Sequence, residues 1–372
     1  MNYIKVKDVT DFVRNGANIK QDKQCSSGIP ITRIETISNS QFNWDKFGYA
    51  NITNDKYQDY YLEDKDVLLS HINSAKFLGR SVLFEQKDTN PFILGMYLLC
   101  LRFRQAEYMP SFFVWYSKSQ IANNYFAENT KKAVNQASIT SSAIKEMPIP
   151  DLTLEDQKKI AMELDTIQSA INNKTQQLSL LDEAVKSRFI EMFGDPIENT
   201  KSWIEEPLGN CCLLKAGKAI KASELADKDK EHPYPCFGGN GIRGFISKKS
   251  HTGKIVLIGR QGALCGNVQL TDGDFYATEH AVVTSPKKEL NSIWLYHLLF
   301  LMDLNRYKSG AAQPGLTVEK LNTVPTMIVP IELQNDFAAF VQQIDKSRFV
   351  IKQQIADLQE LLDRKMQEYF GE

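Results

Sequence analysis

The chain has 372 residues, of which 42% are hydrophobic and 24% charged, and its formal net charge is −1. That length leaves room for two or more domains, and the composition fits a soluble globular protein. The longest apolar run, Phe92 to Leu101, is too short to cross a bilayer, and Met1-Asn2-Tyr3-Ile4-Lys5 does not open a signal peptide, so a cytoplasmic address without a membrane partner is expected.

Six cysteines, Cys25, Cys100, Cys211, Cys212, Cys236 and Cys265, form no CxxC pair, and the five histidines do not cluster with them. Buried free thiols are expected, with no disulfide framework and no metal site. Charge is unevenly spread. Residues 1–150 and 203–330 each carry +3, whereas 151–202 and 331–372 carry −4 and −3. Two mildly basic bodies thus alternate with two acidic segments; the bodies permit phosphate contact and the segments disfavour it.

Residues 1–150 mix short β-rich runs with polar loops. Asp66 to Ser70 reads as a strand and Gly79 to Phe84 as the next one. Between them His71-Ile72-Asn73-Ser74-Ala75-Lys76 is polar and cationic. It suits contact with a ligand at a sheet edge, and it equally suits an ordinary hairpin with solvated side chains. Tyr108 to Phe126 is helix-like and carries Phe112, Phe113, Trp115 and Tyr116, a density that points to core. Gln136-Ala137-Ser138-Ile139-Thr140 then leads to Pro148 and Pro150, an extended segment that feeds a long helix.

That helix runs from Leu154 to Phe193. Its apolar positions are Ile160, Leu164, Ile167, Ile171, Leu178, Leu181 and Val185, in alternating steps of four and three broken by Lys174. This is the heptad spacing of a helix that packs on another helix. Gly194-Asp195-Pro196 stops it, and Trp203 opens the second half.

Residues 203–330 carry glycine-rich loops: Phe237-Gly238-Gly239-Asn240-Gly241-Ile242-Arg243, then Gly259-Arg260-Gln261-Gly262 after the strand Ile255 to Ile258, then Thr278-Glu279-His280. The glycines allow tight turns and close backbone approach, and Arg243 and Arg260 are of a type that reaches phosphates or guanine edges. The alternative is that the glycines only shape turns and the arginines are solvated. Gln313-Pro314-Gly315-Leu316-Thr317 precedes the last helix, whose seam is Phe337, Val341, Ile344, Ile351, Ile355, Leu358 and Leu362, broken by Arg348. Adding 177 carries the first seam onto the second, Ile160 onto Phe337 and Leu181 onto Leu358. The same step carries Gln136 onto Gln313. This internal repeat is the strongest pattern in the chain. Two helices with matching seams are expected to pack on each other; the plainer alternative is that each caps its own domain.

Sites for chemistry are sparse. The chain has no GxxxxGK[ST], no HExxH, and no Asn/Asp-Pro-Pro-Tyr/Phe loop of the kind that amino-methyltransferases place against a base. Glu63-Asp64-Lys65 has the form of part of a nuclease site, but such triplets are common by chance. Glu279-His280 reads as a structural histidine with its acid rather than as an acid/base pair. No catalytic residue is assigned, and any catalysis is expected of a partner.

Together these segments resemble the specificity subunit of type I restriction–modification systems. The resemblance rests on Met192-Phe193-Gly194-Asp195-Pro196 at the end of a helix and Gln313-Pro314-Gly315-Leu316-Thr317 ahead of a proline-bounded helix. Phe237 to Ile242 and Ile258 to Ala263 also look like recurring family segments. It covers the whole chain in the order domain, helix, domain, helix. It implies an α+β protein with two mixed α/β target-recognition domains, 1–150 and 203–330. These are separated by two long helices, within 151–202 and 331–372, that form an antiparallel coiled coil. It further implies that each domain reads one half of a split, asymmetric site in double-stranded DNA. The helices would set the gap and dock two methyltransferase subunits carrying S-adenosylmethionine. ATP-driven, magnesium-dependent cleavage would belong to further restriction subunits. On loop position and side-chain chemistry, the expected DNA contacts are Ser70, His71, Asn73, Lys76 and Arg80 in the first domain. In the second they are Lys218, Arg243, Arg260 and Gln261. A helix of about 35 residues spans roughly 50 Å, enough to place two readers on successive faces of a duplex. The first half has Ser138 where the second has Gly315, and it lacks the Gly-Gly-Asn-Gly loop. The rival reading is a protein-interaction scaffold of two globular bodies on a helical strut.

Overall fold

The computed structural model describes residues 2–19, 28–50, 52, 55–87, 89–132, 136–262, 265–308 and 315–371. Cys25, Gln313, Pro314, Ala263 and Leu264 lie outside the described residues. The chain divides into two compact units, Met1–Asn173 with Gln354–Glu372, and Lys174–Gln353. Each therefore holds one globular domain and about half of each long helix.

In the first unit the strands are β1 (Tyr3–Lys5), β2 (Thr10–Asn15), β3 (Ile29–Ile31), β4 (Gly48–Ala50), β5 (Val67–Ser70), β6 (Ile72–Asn73), β7 (Ser81–Leu83) and β8 (Leu98–Phe103). Helices α1 (Pro110–Tyr116) and α2 (Gln120–Glu128) follow, then β9 (Lys131–Lys132), β10 (Ala137–Ser138), α3 (Ser141–Lys145), β11 (Pro148–Pro150) and the long α4 (Leu154–Phe193). The main sheet is antiparallel in the order β2-β8-β5-β7. Strands β5 and β8 are buried on both faces, which is why Val67-Leu68-Leu69 and Leu98-Leu99-Cys100-Leu101 are continuous apolar runs rather than alternating ones. One face packs on α1, where the aromatic run supplies core: Phe112, Phe113, Trp115 and Tyr116 are all buried.

The second unit repeats this plan. After β12 (Glu205–Pro207) and α5 (Leu208–Cys211) come β13 (Cys212–Ala216), β14 (Tyr234–Gly238), β15 (Gly241–Ile246), β16 (His251–Thr252), β17 (Val256–Gly259), β18 (Val268–Leu270), β19 (Asp274–Ala277) and β20 (Ala281–Pro286). Then follow α6 (Ser292–Leu301), α7 (Val318–Asn322), β21 (Pro325–Met327) and the second long helix, α8 (Ile331–Phe370). Its main sheet, β13-β20-β17-β18, is antiparallel and matches β2-β8-β5-β7 strand for strand. The hydrogen bonds coincide too. Gly16 N–H donates to Leu98 O as Gly217 N–H does to Ala281 O, and Leu98 N–H donates to Gly95 O as Ala281 N–H does to Thr278 O.

Both long helices have 40 residues, so each is about 60 Å long. They pack on each other within each unit. In the first, Ile160, Leu164, Ile167 and Ile171 share a core with Leu362 and the half-buried Ile355 and Leu358. Lys365 pairs with Glu163 at 3.0 Å, and the Tyr369 hydroxyl donates to the same carboxylate. In the second, Val185 shares a core with Phe337, Val341 and the half-buried Ile344. Phe189 meets Phe337 edge-on at 5.4 Å, and Asp182 takes Arg348 at 2.6 Å, so α4 and α8 run antiparallel. Leu178 and Leu181 are half-buried. Arg348, the polar break in the seam, is 20% exposed and bridges Asp182 and Asp345.

Each long helix begins on a buried glutamine. Gln157 Oε1 accepts from Met109 N–H, and its Nε2 donates to Leu152 O, both at 2.8 Å. Gln334 does the same with Asn291 N–H (2.9 Å) and Val329 O (2.8 Å). The acceptors' donors are the N-cap amides of α1 and α6, which no intrahelical carbonyl satisfies. Cys100, Cys211, Cys212, Cys236 and Cys265 are buried free thiols. Among the described residues no helix is long and apolar enough to cross a membrane.

Candidate nucleic-acid interface

In the second unit three loops converge beyond the ends of β14, β17 and β19. The approach is close enough to demand glycine: a Cβ on Gly259 would sit 1.9 Å from Gly239 O. Gly241 (φ +98) closes the β14–β15 hairpin in a backbone region that L side chains avoid. This arrangement brings Arg243, Arg260 and Gln261 together. Arg243 is exposed, and its aliphatic stem packs over Gly238. The Arg260 backbone is held on both sides, its N–H donating to His280 O (3.0 Å) and its carbonyl accepting from Leu316 N–H (2.8 Å). Gln261 is exposed and bridges to Gly315.

Lys218 is exposed, and its N–H donates to Ala277 O, beside the same loops. It lines a cavity of ≈ 550 Å³ together with Lys215, Lys248, Lys249 and His251. Lys248 is held by Glu224 (2.6 Å) and Lys249 by Asp274 (3.0 Å), and these carboxylates keep both ammonium groups above their ordinary pKa. Lys215 and Lys218 have no acidic partner among the described residues, so their charge faces outward. Lys215, Lys248 and Lys249 escaped the sequence reading; the Lys248-Lys249 doublet was the available signal.

The first unit treats its predicted residues unequally. Lys76 and Arg80 lie around one ring: Lys76 Nζ stands 4.7 Å and the Arg80 guanidinium 4.3 Å from the Phe77 centroid. Lys76 is exposed, and Asn73 and Arg80 are half-buried. The exposed Lys131 on β9 joins them through β10, which pairs with β6. Ser70 and His71 are different. Both are buried, at 2% and 5% exposure. Ser70 Oγ accepts from Asn73 Nδ2 (3.2 Å). The His71 ring nitrogens face Ile139 O and Met96 O, each at 3.2 Å, and burial lowers its pKa. The structure therefore makes Ser70 and His71 supports for the loop. They ended a buried strand, and polarity alone did not reveal it.

The family model described as the type I restriction modification DNA specificity domain matches residues 1–181 and 201–360. The chain belongs to the type I restriction–modification specificity family. A putative type I restriction enzyme MjaX specificity subunit from Methanocaldococcus jannaschii is 35% identical over 367 residues, covering 92% of this chain and 86% of that protein. The EcoprrI specificity subunit of Escherichia coli is 39% identical over 201 residues, 53% of this chain; the match spans half of that relative's length. The crystal structure of the S subunit from M. genitalium shares the fold, with TM-score 0.66 at 17% identity, over 100% of this chain and 96% of that one. So does a chain from a structure addressing complex assembly and conformational transition of the type I system. Its TM-score is 0.56 at 15% identity, over 99% of this chain and 97% of that one.

In this specificity-family chain the catalytic look-alikes are occupied by structural work. Arg102 takes Glu63 and Asp66, Asp64 accepts from Gln86 N–H, and Lys65 sits at φ 68 paired with Glu85 at 2.8 Å. That is a stapled turn at the start of β5. His280 Nε2 lies 3.1 Å from Glu279 Oε1, a contact between neighbouring residues.

Proposed function

We propose that this chain supplies the DNA address for a type I restriction–modification complex. Each domain reads one half of a bipartite, asymmetric site in duplex DNA. Helices α4 and α8 set the gap between half-sites and dock two methyltransferase subunits. Those subunits carry S-adenosylmethionine, and the ATP- and magnesium-dependent helicase-nuclease work belongs to restriction subunits. The chain itself performs no chemistry, and the complex works in the cytoplasm.

One observation carries this reading. The two domains share one backbone plan but place different chemistry on equivalent positions. Ile139 N–H donates to His71 O as Leu316 N–H does to Arg260 O, so His71 corresponds to Arg260. Ser138 pairs with Ile72 where Gly315 bridges Gln261. A duplicated scaffold with divergent loop ends is what reading two different half-sites requires. In each domain, lysines and arginines would hold phosphates and fix register, while loop side chains read base edges in the major groove. Large apolar side chains facing outward on the helices support the docking role: Phe349 is 72% and Leu180 54% exposed.

The test is binding of duplex DNA by the complex assembled from this chain and its methyltransferase subunits, measured across salt concentration. A steep fall in affinity with salt is expected from counterion release. Salt-independent binding, or none, removes the reading.

A further inference from the structure

The loop cluster of the second domain holds four polar atoms without partners among the described residues. They are Arg260 Nε, Thr278 Oγ1, Glu279 Oε2 and His280 Nδ1, all buried and without a hydrogen-bond partner among the described residues. Stable interiors rarely leave such groups unmet, and four in one place mark a site where something else supplies the partner. The cluster is contiguous, because Arg260 N–H donates to His280 O and Glu279 pairs with His280.

The first domain shows that the fold does not need a polar side chain at Thr278 or Glu279. The bond from Leu98 N–H to Gly95 O, repeated from Ala281 N–H to Thr278 O, sets Gly95-Met96 against Thr278-Glu279. At these two positions the first domain has no polar side chain, Tyr97 stands where the second has His280, and His71, in the place of Arg260, has a carbonyl opposite each ring nitrogen. One domain seals the position and its duplicate leaves it open.

We propose that Glu279 and Arg260 are specificity-determining residues of the second domain, acting on one base pair of its half-site. This rests on the DNA-reading function proposed above. A carboxylate beside the basic groove of Lys215 and Lys218 is repelled by a phosphate. It is matched by the exocyclic amino group of cytosine or adenine, which only donates. His280 Nε2 holds Glu279 Oε1 and leaves Oε2 for that amino group. Arg260 donates to the acceptor on the same base pair. The Glu279 and His280 side chains are 38% and 36% exposed, so the turned-in atoms reach the duplex by side-chain rotation. No existing hydrogen bond of Oε2 is broken in that rotation.

The experiment is selection of bound sites from a randomised duplex library by the assembled complex, with the wild-type chain, Glu279→Gln, and Arg260→Lys. Wild type is expected to give a two-part site with cytosine or adenine at one position of the second half. The isosteric Glu279→Gln, whose amide both donates and accepts, is expected to relax preference at that position by on the order of tenfold. All other positions and the salt slope stay unchanged. Arg260→Lys is expected to weaken preference at the same base pair. If wild type selects a two-part site and Glu279→Gln selects the same bases with the same stringency, the inference is wrong. A uniform affinity loss with Arg260→Lys and unchanged preference also overturns it, making Arg260 a phosphate contact. If wild type selects no site at all, it is the DNA-reading function that has failed.

Discussion

Replacing Gln157 with leucine tests how the long helices are tied to their domains. The side chain is 1% exposed, so nothing but protein can satisfy the groups it touches. Leucine nearly conserves its volume but removes both hydrogen bonds. Met109 N–H and Leu152 O are then left unpaired at half-buried positions. Each such group costs about 1–3 kcal/mol, so a loss of about 2–6 kcal/mol is expected from the first unit. Gln334→Leu should do the same to the second unit through Asn291 N–H and Val329 O. The readout is local: amide hydrogen exchange over 109–113 in Gln157→Leu and over 291–295 in Gln334→Leu. Protection should fall at the start of α1 in the first variant and of α6 in the second, each leaving the other unit unchanged. A change below about 0.5 kcal/mol at both places would refute the argument that these glutamines cap the domain helices.

Two further outcomes follow from the second unit. Burial, reinforced by the Arg348 charge, pushes the His297 imidazole from 6.5 down to about 4. The folded state thus favours the neutral ring. Its contribution is complete above pH 6.5 and is lost as pH falls through that value toward about 4, so urea midpoints should decline across this window. His297→Gln should flatten that decline; an unchanged pH profile would contradict the assignment. Phe349→Asp places a charge on an outward-facing position of α8. It should weaken association with methyltransferase subunits in sedimentation or pull-down by at least tenfold, on the order of 1.4 kcal/mol, while the unfolding midpoint of the isolated chain stays put. Full retention of binding would show that this face is not the dock.

The helices were legible because they follow one rule throughout. Heptad spacing marked Leu154 to Phe193, and that range is α4 as observed. The 177-residue step marked its duplicate and linked Gln157 with Gln334. The two recognition domains were legible from the order of segments, but their residue-by-residue correspondence was not, because loops of different length shift the step along the chain. His71 corresponds to Arg260 and Gly16 to Gly217, pairs farther apart than the helical repeat, so no single offset reveals them. In the second domain the close loop approach at Arg243, Arg260 and Gln261 was legible through the neighbouring glycines. Ser70 and His71 misled because burial at a strand end depends on what covers it, here Met96 and Ile139, which lie far along the chain. Glu279 and His280 stand out in the sequence as a pair, but only the contrast with Met96 shows that the place of Glu279 in the fold needs no polar group.

The central claim is that paired helices hold two independent readers at a set separation. It is tested by inserting one heptad into α4 and a matching heptad into α8, then sequencing modified bases in DNA methylated by the assembled complex. Seven residues add about 10 Å to each rod, close to three base-pair steps. A longer gap between two half-sites of unchanged sequence is the predicted result. Altered half-sites around an unchanged gap would contradict the account.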